Sequence, residues 1–473
     1  MATHSTLGIL FSTLAVTTLV ACGSEISSGG SGESATPATP TMPTMPTTAP
    51  PTTPPASAGL SYPGHGFIVH EWGTNTIVVG SDGSLQRGLH HEEEDLPAFV
   101  HDRVKAGNAL GSPSVAISKM ETPVTYFYSD KPRAVDVAVD FPAGVLTQWY
   151  PAVVQFSPPM LRHWQGPNGE NIVDPVLDPA VQFNIPGCKE QYSHAALGRL
   201  DWGHVEVLAR DAAPSLPAAP LEESTWSYAR DVAANTVEVG SGAGTQDERF
   251  LFYRGLGNLD FPLQVGSLPG GKIAVSNPSK IGMGRLFVIN VGKSKGAFTV
   301  KESGVAGGEV FEPAIPSLDG AADLPAYEDA LAVKVTEALD ATGLYHDEAR
   351  AMVSTWKRQW FGTPGVRVLY LMPQTWTDAA IPLTITPPPD EALRVMMIRV
   401  EVITPELEQV DATMAKLLGD AKGEGEAQAY FHALGRFAEP RLRRALAIVG
   451  DAALGQAFLA TVTSAETRAG VGE

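Results

Sequence analysis

Cysteine is almost absent: Cys22 and Cys188 are the only two in 473 residues, so at most one disulfide could form. Basic side chains are scarce as well, 33 against 52 acidic ones, which leaves a formal charge of −19. A body this acidic repels nucleic acid and anionic lipid headgroups, so nucleic acid is excluded as a partner and cationic ligands are compatible with it. There is no Gly-x-Ser-x-Gly elbow, phosphate loop, dinucleotide fingerprint or EF-hand loop, which removes the commonest sequence signatures of hydrolase, nucleotide and calcium chemistry. The apolar run Leu7–Ala21 is uncharged but only fifteen residues long, too short to cross a bilayer comfortably.

That run ends in small residues before Cys22, which is the form of a secretory signal at residues 1–21. Its last four positions, Leu19-Val20-Ala21-Cys22, resemble the lipobox of bacterial lipoproteins. The resemblance implies cleavage before Cys22, acylation of its thiol and of the new amino terminus, and a membrane partner reached through that lipid. One feature departs from the pattern, because MATHS carries no Lys or Arg. Residues 22–60 are almost pure Ser, Gly, Thr, Pro and Ala, the composition of a disordered tether. Gly23 and Ser24 follow the cysteine, with no Asp at the second position; by resemblance this favours the outer membrane. With Cys22 acylated, Cys188 is left alone and the fold cannot rest on a disulfide.

Residues 61–473 are enough for two or three domains and a large core. From Phe67 to about Glu302 the text reads as strands, including FIVHEWGTNTIVV, VTYFYS, AVDVAVDF, LTQWY and FLFYRG, separated by Gly, Pro, Asn and Asp. In AVDVAVDF, Val135, Val137 and Val139 share one face, and Asp136 and Asp140 share the other. After Pro313 the period changes. Leu331, Val335 and Leu339 line one helix, and Met352, Trp356 and Trp360 run at i, i+4, i+8 on a second, with Asp347 placed to cap or charge its start. Thr404-Pro405 opens a helical tail. The expected fold is α+β, with a β-rich antiparallel, sandwich-like domain at 61–312 and a mixed α/β, then helical, domain at 313–473. The late strands RVLYLM and RVMMIRVEV can alternatively complete the first sheet.

Chemistry-bearing residues concentrate in three places. His70-Glu71 lacks the second His four positions on that a zincin helix requires, since residue 74 is Thr. In a strand the two side chains point to opposite faces, so the pair reads either as half of a site or as a strand with a wet face. GLHHEEEDLPAFVHD packs His90, His91, Glu92, Glu93, Glu94, Asp95 and His101 together, supplying borderline ligands for a divalent ion such as zinc or else a solvated acidic loop. In KMETPVTYFYSD, Glu121 precedes an aromatic strand on which Tyr126 and Tyr128 share a face, suited to stacking against a sugar or peptide. Arg254, Arg399, Glu401 and Arg436 are charges inside apolar stretches, expected as buried ion pairs.

HEWGT, DLPAFV, KMETPVTYFYS, LTQWYP, FLFYRG, EARAMVSTWKRQWF and RVMMIRVEVITPE, in that order over residues 65–437, resemble a family of large secreted or lipid-anchored bacterial proteins common in myxobacteria and planctomycetes. The resemblance brings no activity with it. It implies that His70, Glu71, Trp72, Gly73, Thr74, Glu121, Thr122 and Pro123 belong to the shared pattern and that His90-His91 do not, while Asn75 stands where an aromatic is expected. Two functional readings follow, beside a purely structural role as an assembly partner. One is an envelope protein whose body binds an envelope or extracellular component, with Trp72, Tyr126 and Tyr128 as binding residues. The other is a metal-assisted hydrolase with His70 and Glu121 as ligands and Glu71 as base.

Overall fold

Phe67–Val79 forms a single thirteen-residue strand, β1, and every residue of it is buried. Ile68, Val69, Thr74, Thr76, Ile77, Val78 and Val79 are β-branched and suit a pleated surface. A turn at Gly80–Gly83 ends it, with Gly83 N–H donating to Gly80 O at 2.9 Å and Gly83 at φ +81°. The computed structural model describes residues 60–89, 96–102, 116–157, 161–165, 171–175, 198–218, 224–241, 244–451 and 454. These belong to one compact unit, Ser57–Glu473.

The chain continues through β2 (His101–Asp102), β3 (Ser118–Met120), β4 (Val124–Ser129), β5 (Arg133–Phe141), β6 (Gly144–Tyr150), β7 (Gln155–Ser157), β8 (Leu161–Gln165), β9 (Asn171–Pro175) and β10 (Gly198–Val207) to helix α1 (Thr225–Arg230). Then come β11 (Val237–Ser241), β12 (Gly244–Glu248), β13 (Leu251–Gly257), β14 (Gln264–Leu268), β15 (Lys272–Ser276), β16 (Leu286–Val291), β17 (Lys295–Lys301), β18 (Val310–Phe311) and β19 (Ala322–Asp323). The last part holds α2 (Leu324–Asp340), α3 (His346–Trp356), β20 (Gly365–Met372), α4 (Gln374–Ala380), β21 (Leu383–Thr386), β22 (Glu391–Val402), α5 (Pro405–Leu417), α6 (Glu424–His432) and α7 (Ala438–Val449).

The architecture is α+β. Eleven strands form one large sheet, in which β1 lies between β22 on one side and β3 and β4 on the other. Its pairs are antiparallel except β1 with β22, which run parallel from Ile68↔Glu391 to Val79↔Val402. The boundary expected at 312/313 therefore does not separate two bodies. β22 and β20 from the second segment complete the sheet begun by β1, because a two-sided apolar strand such as β1 needs a neighbour on each edge to satisfy its backbone.

One face of this sheet packs on a six-stranded and a three-stranded sheet through Phe67, Val69, Phe127, Val137, Leu200, Trp202 and Val275. On β5 the expected alternation is present: Val135, Val137 and Val139 are buried and Asp136 is exposed. The other face packs on α1, α2 and α3 through Trp72, Tyr126, Tyr128, Trp226, Leu331, Met352 and Trp360. Burying each such large side chain contributes about 1.5–3 kcal/mol. Asp323 caps α2, accepting from Ala326 N–H at 3.1 Å. At α3 Asp347 charges the first turn as expected, accepting from Glu348 N–H at 3.0 Å, and Glu348 reaches back to accept from Tyr345 N–H at 2.7 Å. After α3 the backbone loosens into a π-helical turn at Lys357–Phe361, and Trp356 and Trp360 stack at 5.2 Å in the core. Thr404 caps α5 as expected, and α5 to α7 enclose their own small core around Ala415, Leu418, Phe431 and Leu442. Among the described residues no helix is long and apolar enough to cross a membrane.

Candidate functional site

Strand alternation sends His70 and Glu71 to opposite faces of β1, and neither face is wet. The wet-face reading of this strand is thus corrected: both faces are covered, one by helices and one by sheet.

His70 meets the helix layer. Its Nδ1 lies 2.8 Å from Glu348 Oε2, and both side chains are at most 1% exposed. Glu348 also accepts from the Tyr128 hydroxyl at 2.8 Å and from Tyr345 N–H. The imidazole is flanked by the rings of Tyr345, at 4.4 Å, and Tyr128, at 5.6 Å. Burial, and then the Glu348 charge, push the Tyr128 phenol well above its ordinary range, so it stays a donor.

Glu71 faces the sheet layer. Oε1 accepts a fork from Arg394, with Nε at 2.9 Å and Nη2 at 2.7 Å, while Oε2 accepts from Thr125 Oγ1 at 2.9 Å and the Tyr253 hydroxyl at 2.7 Å. One carboxylate thereby ties β1 to β4, β13 and β22. Burial alone would lower the Arg394 pKa, but Glu71, Tyr253 and Asp378 hold it above the ordinary value. Burial followed by Glu71 keeps Tyr253 far above its ordinary range.

Glu121 sits between β3 and β4, its N–H donating to Thr74 O at 3.0 Å. That places it beside Thr74, four residues along β1 from His70, about 13 Å at roughly 3.3 Å per residue. Its Oε1 accepts from Arg436, which arrives from the short turn Gly435–Phe437 before α7, and its carbonyl accepts from Arg254. Along the same face Glu401 accepts from Arg399 Nε at 2.6 Å and is ion-paired with Arg367, whose Nε lies 3.0 Å from its Oε1. Burial alone would raise the Glu401 carboxyl, but Arg367, Arg399 and Arg436 hold it below its ordinary value. The expected buried ion pairs are present for Arg399 with Glu401 and for Arg436 with Glu121, whereas Arg254 donates to a backbone carbonyl.

Several expected residues are thus not brought together as a site. His70 and Glu121 have separate partners, and among the described residues no three His, Cys, Asp or Glu side chains are grouped to hold a metal ion. Glu71 lies on the opposite face, saturated by donors. Trp72, Tyr126 and Tyr128 are at most 1% exposed, so they form core rather than an open stacking surface, because α1 and α3 cover them. Cys22, His90, His91 and Cys188 lie outside the described residues. Sequence reasoning missed Glu348 and Arg394. Glu348 carried a signal, a Glu three residues into a helix; Arg394 carried a weaker one, a charge opening the apolar stretch VMMI.

Two open concavities lie elsewhere. One of about 670 Å³ lies between the Gly80–Gly83 turn and β14, and one of about 580 Å³ lies beside Trp376. Neither is lined by His70, Glu71 or Glu121.

No protein-family model matches the chain, and no curated protein does. Among solved structures it is similar to the yeast delta-COP-I mu-homology domain, at 8% identity over 71% of this chain and 97% of that one, with a TM-score of 0.25. The same domain complexed with a Dsl1 WxWxV peptide matches at 9% identity over 71% and 96%, with a TM-score of 0.21. A likeness this low carries no argument about function.

Proposed function

We propose that the chain is a lipid-anchored protein of a bacterial cell envelope, acylated at Cys22 and held at the outer membrane, whose folded body binds an envelope or extracellular component. The observation that carries the reading is the succession of an uncharged apolar run, Leu19-Val20-Ala21-Cys22, and the Ser/Gly/Thr/Pro segment 22–60. More than one acyl chain on Cys22 gives stable anchoring where a single chain gives only marginal binding. The tether then sets the body off the membrane surface. Binding is preferred to catalysis because the two ionisable side chains of His-Glu-Trp-Gly-Thr are engaged by the fold itself, His70 by Glu348 and Glu71 by Arg394, Thr125 and Tyr253.

Mass spectrometry of the mature N-terminal peptide, beside membrane partitioning of Cys22→Ala, tests the anchor. The peptide is expected to begin at an acylated Cys22 and the variant to leave the membrane fraction. An unmodified Cys22, or a variant that still partitions with membranes, overturns the proposal.

A further inference from the structure

We infer that the groove beside Trp376 is a binding site for a neutral glycan chain. The groove, of about 580 Å³, is lined among others by Asp260, Phe261, Pro262, Gln264, Pro278 and Trp376. Trp376 is held in place before any ligand arrives: its Nε1–H donates to Asp260 O at 3.1 Å, and Phe261 stacks on the indole at 5.7 Å and 28°. A ring fixed in this way offers a flat apolar platform that loses little freedom on binding. The Asp260 and Gln264 side chains are exposed beside it, and among the described residues neither has a side-chain partner. A carboxylate and an amide next to an aromatic face meet the needs of a sugar ring, whose C–H face stacks while its hydroxyls donate to the carboxylate and amide oxygens.

Charge complementarity selects among ligands. Among the described residues no Lys, Arg or His lines this groove or the adjoining one of about 670 Å³, and the two share Asp260, Phe261 and Gln264. An anionic polymer would meet the carboxylates of Asp260 and Asp82 there, with the nearby Arg444 already paired to Asp82 and Glu408, in a chain of formal charge −19. Two open grooves meeting at one loop accommodate an extended chain of sugar units rather than an enclosed small molecule. The inference deepens the proposed binding role and rests on that role, not on the anchor at Cys22.

The test is calorimetric titration of the full chain in detergent with neutral hexasaccharides of β-1,4-glucose, β-1,4-N-acetylglucosamine and α-mannose, beside hexalysine and oligogalacturonate. At least one neutral hexasaccharide is expected to bind with an affinity indifferent to salt. Trp376→Ala should weaken it about tenfold or more, with Trp376→Phe close to the parent, and Asp260→Asn gives an independent readout should Trp376→Ala unfold. Glycan binding unchanged in both Trp376→Ala and Asp260→Asn overturns this site and leaves the binding role standing. Salt-sensitive binding of hexalysine with no neutral ligand replaces the glycan by a cationic peptide and overturns the inference. No binding by any of the probes counts against both the site and the role.

Discussion

Removing the Glu71 carboxylate strands a guanidinium in the core, and the size of the effect distinguishes a structural from a catalytic Glu71. The Arg394 side chain is 4% exposed and that of Glu71 2%. Arg394 retains Asp378 at 3.0 Å, but that carboxylate is 48% exposed, and so close to solvent it offsets little. Breaking a buried ion pair from one side costs about 3–5 kcal/mol. Thr125 and Tyr253 would also lose their acceptor, adding roughly 1 kcal/mol or more in total, so Glu71→Ala is expected to cost about 4 kcal/mol or more. Glu71→Gln keeps the shape and some acceptors, and a loss of about 1.5–3 kcal/mol is expected. Replacing both partners, as in Glu71→Met with Arg394→Met, should recover most of the loss, since an apolar pair of similar volume is often neutral or better. Urea unfolding of the three variants, read as midpoints at constant slope, provides the measurement. A catalytic carboxylate kept at the expense of stability predicts the reverse, unchanged or raised stability in Glu71→Gln. A loss below about 1 kcal/mol in Glu71→Ala would refute the reasoning.

Glu401 is held below its ordinary value, so its contribution is present above the unfolded-chain value of 4.5 and is lost as pH falls through the lower folded value. Acid unfolding followed by circular dichroism should therefore be shallower in Glu401→Gln than in the parent; identical profiles would remove the network from the account. The tyrosines behave in the opposite sense. Tyr150 is pushed up to about 12 by burial and then by Glu248, and Tyr126, Tyr128 and Tyr253 are raised as well. Their contribution is complete below the ordinary value of 10 and is lost as pH rises above it through each raised folded value. Tyrosinate absorbance should accordingly rise together with unfolding, and free ionisation of a folded chain near the ordinary value would count against it. Gly304 has φ +66°, and a Cβ there would lie 2.1 Å from Met283 O. Gly304→Ala should cost about 1–3 kcal/mol from the backbone alone, measurable as a lowered Tm.

Where side chains answer only to their neighbours in the chain, the reading from sequence holds in three dimensions. Val135, Val137 and Val139 are buried beside an exposed Asp136; Leu331, Val335 and Leu339 line the buried side of α2; Thr404 caps α5. Strand and helix periods and the hydrogen bonds of a first turn are set within a few residues by backbone geometry.

The candidate site was not legible in this way. A run such as FIVHEWGTNTIVV is compatible with one wet face or with none, and which applies depends on what the rest of the chain lays over it. The partner of His70 lies 278 residues away, and Arg394 lies 323 residues from Glu71. No local period encodes either meeting, because each exists only after β22 has paired in parallel with β1 and α3 has packed across the sheet. The sequence by itself determined the strand and helix periods of most segments, the acidity of the body and the apolar run ending before Cys22, since these are properties of composition and near-neighbour spacing. Only the tertiary structure decided that the two halves share one sheet, that the aromatic strand is core and that His70 and Glu71 find partners inside the fold. Those outcomes depend on long-range pairing, which chain closure and burial select together.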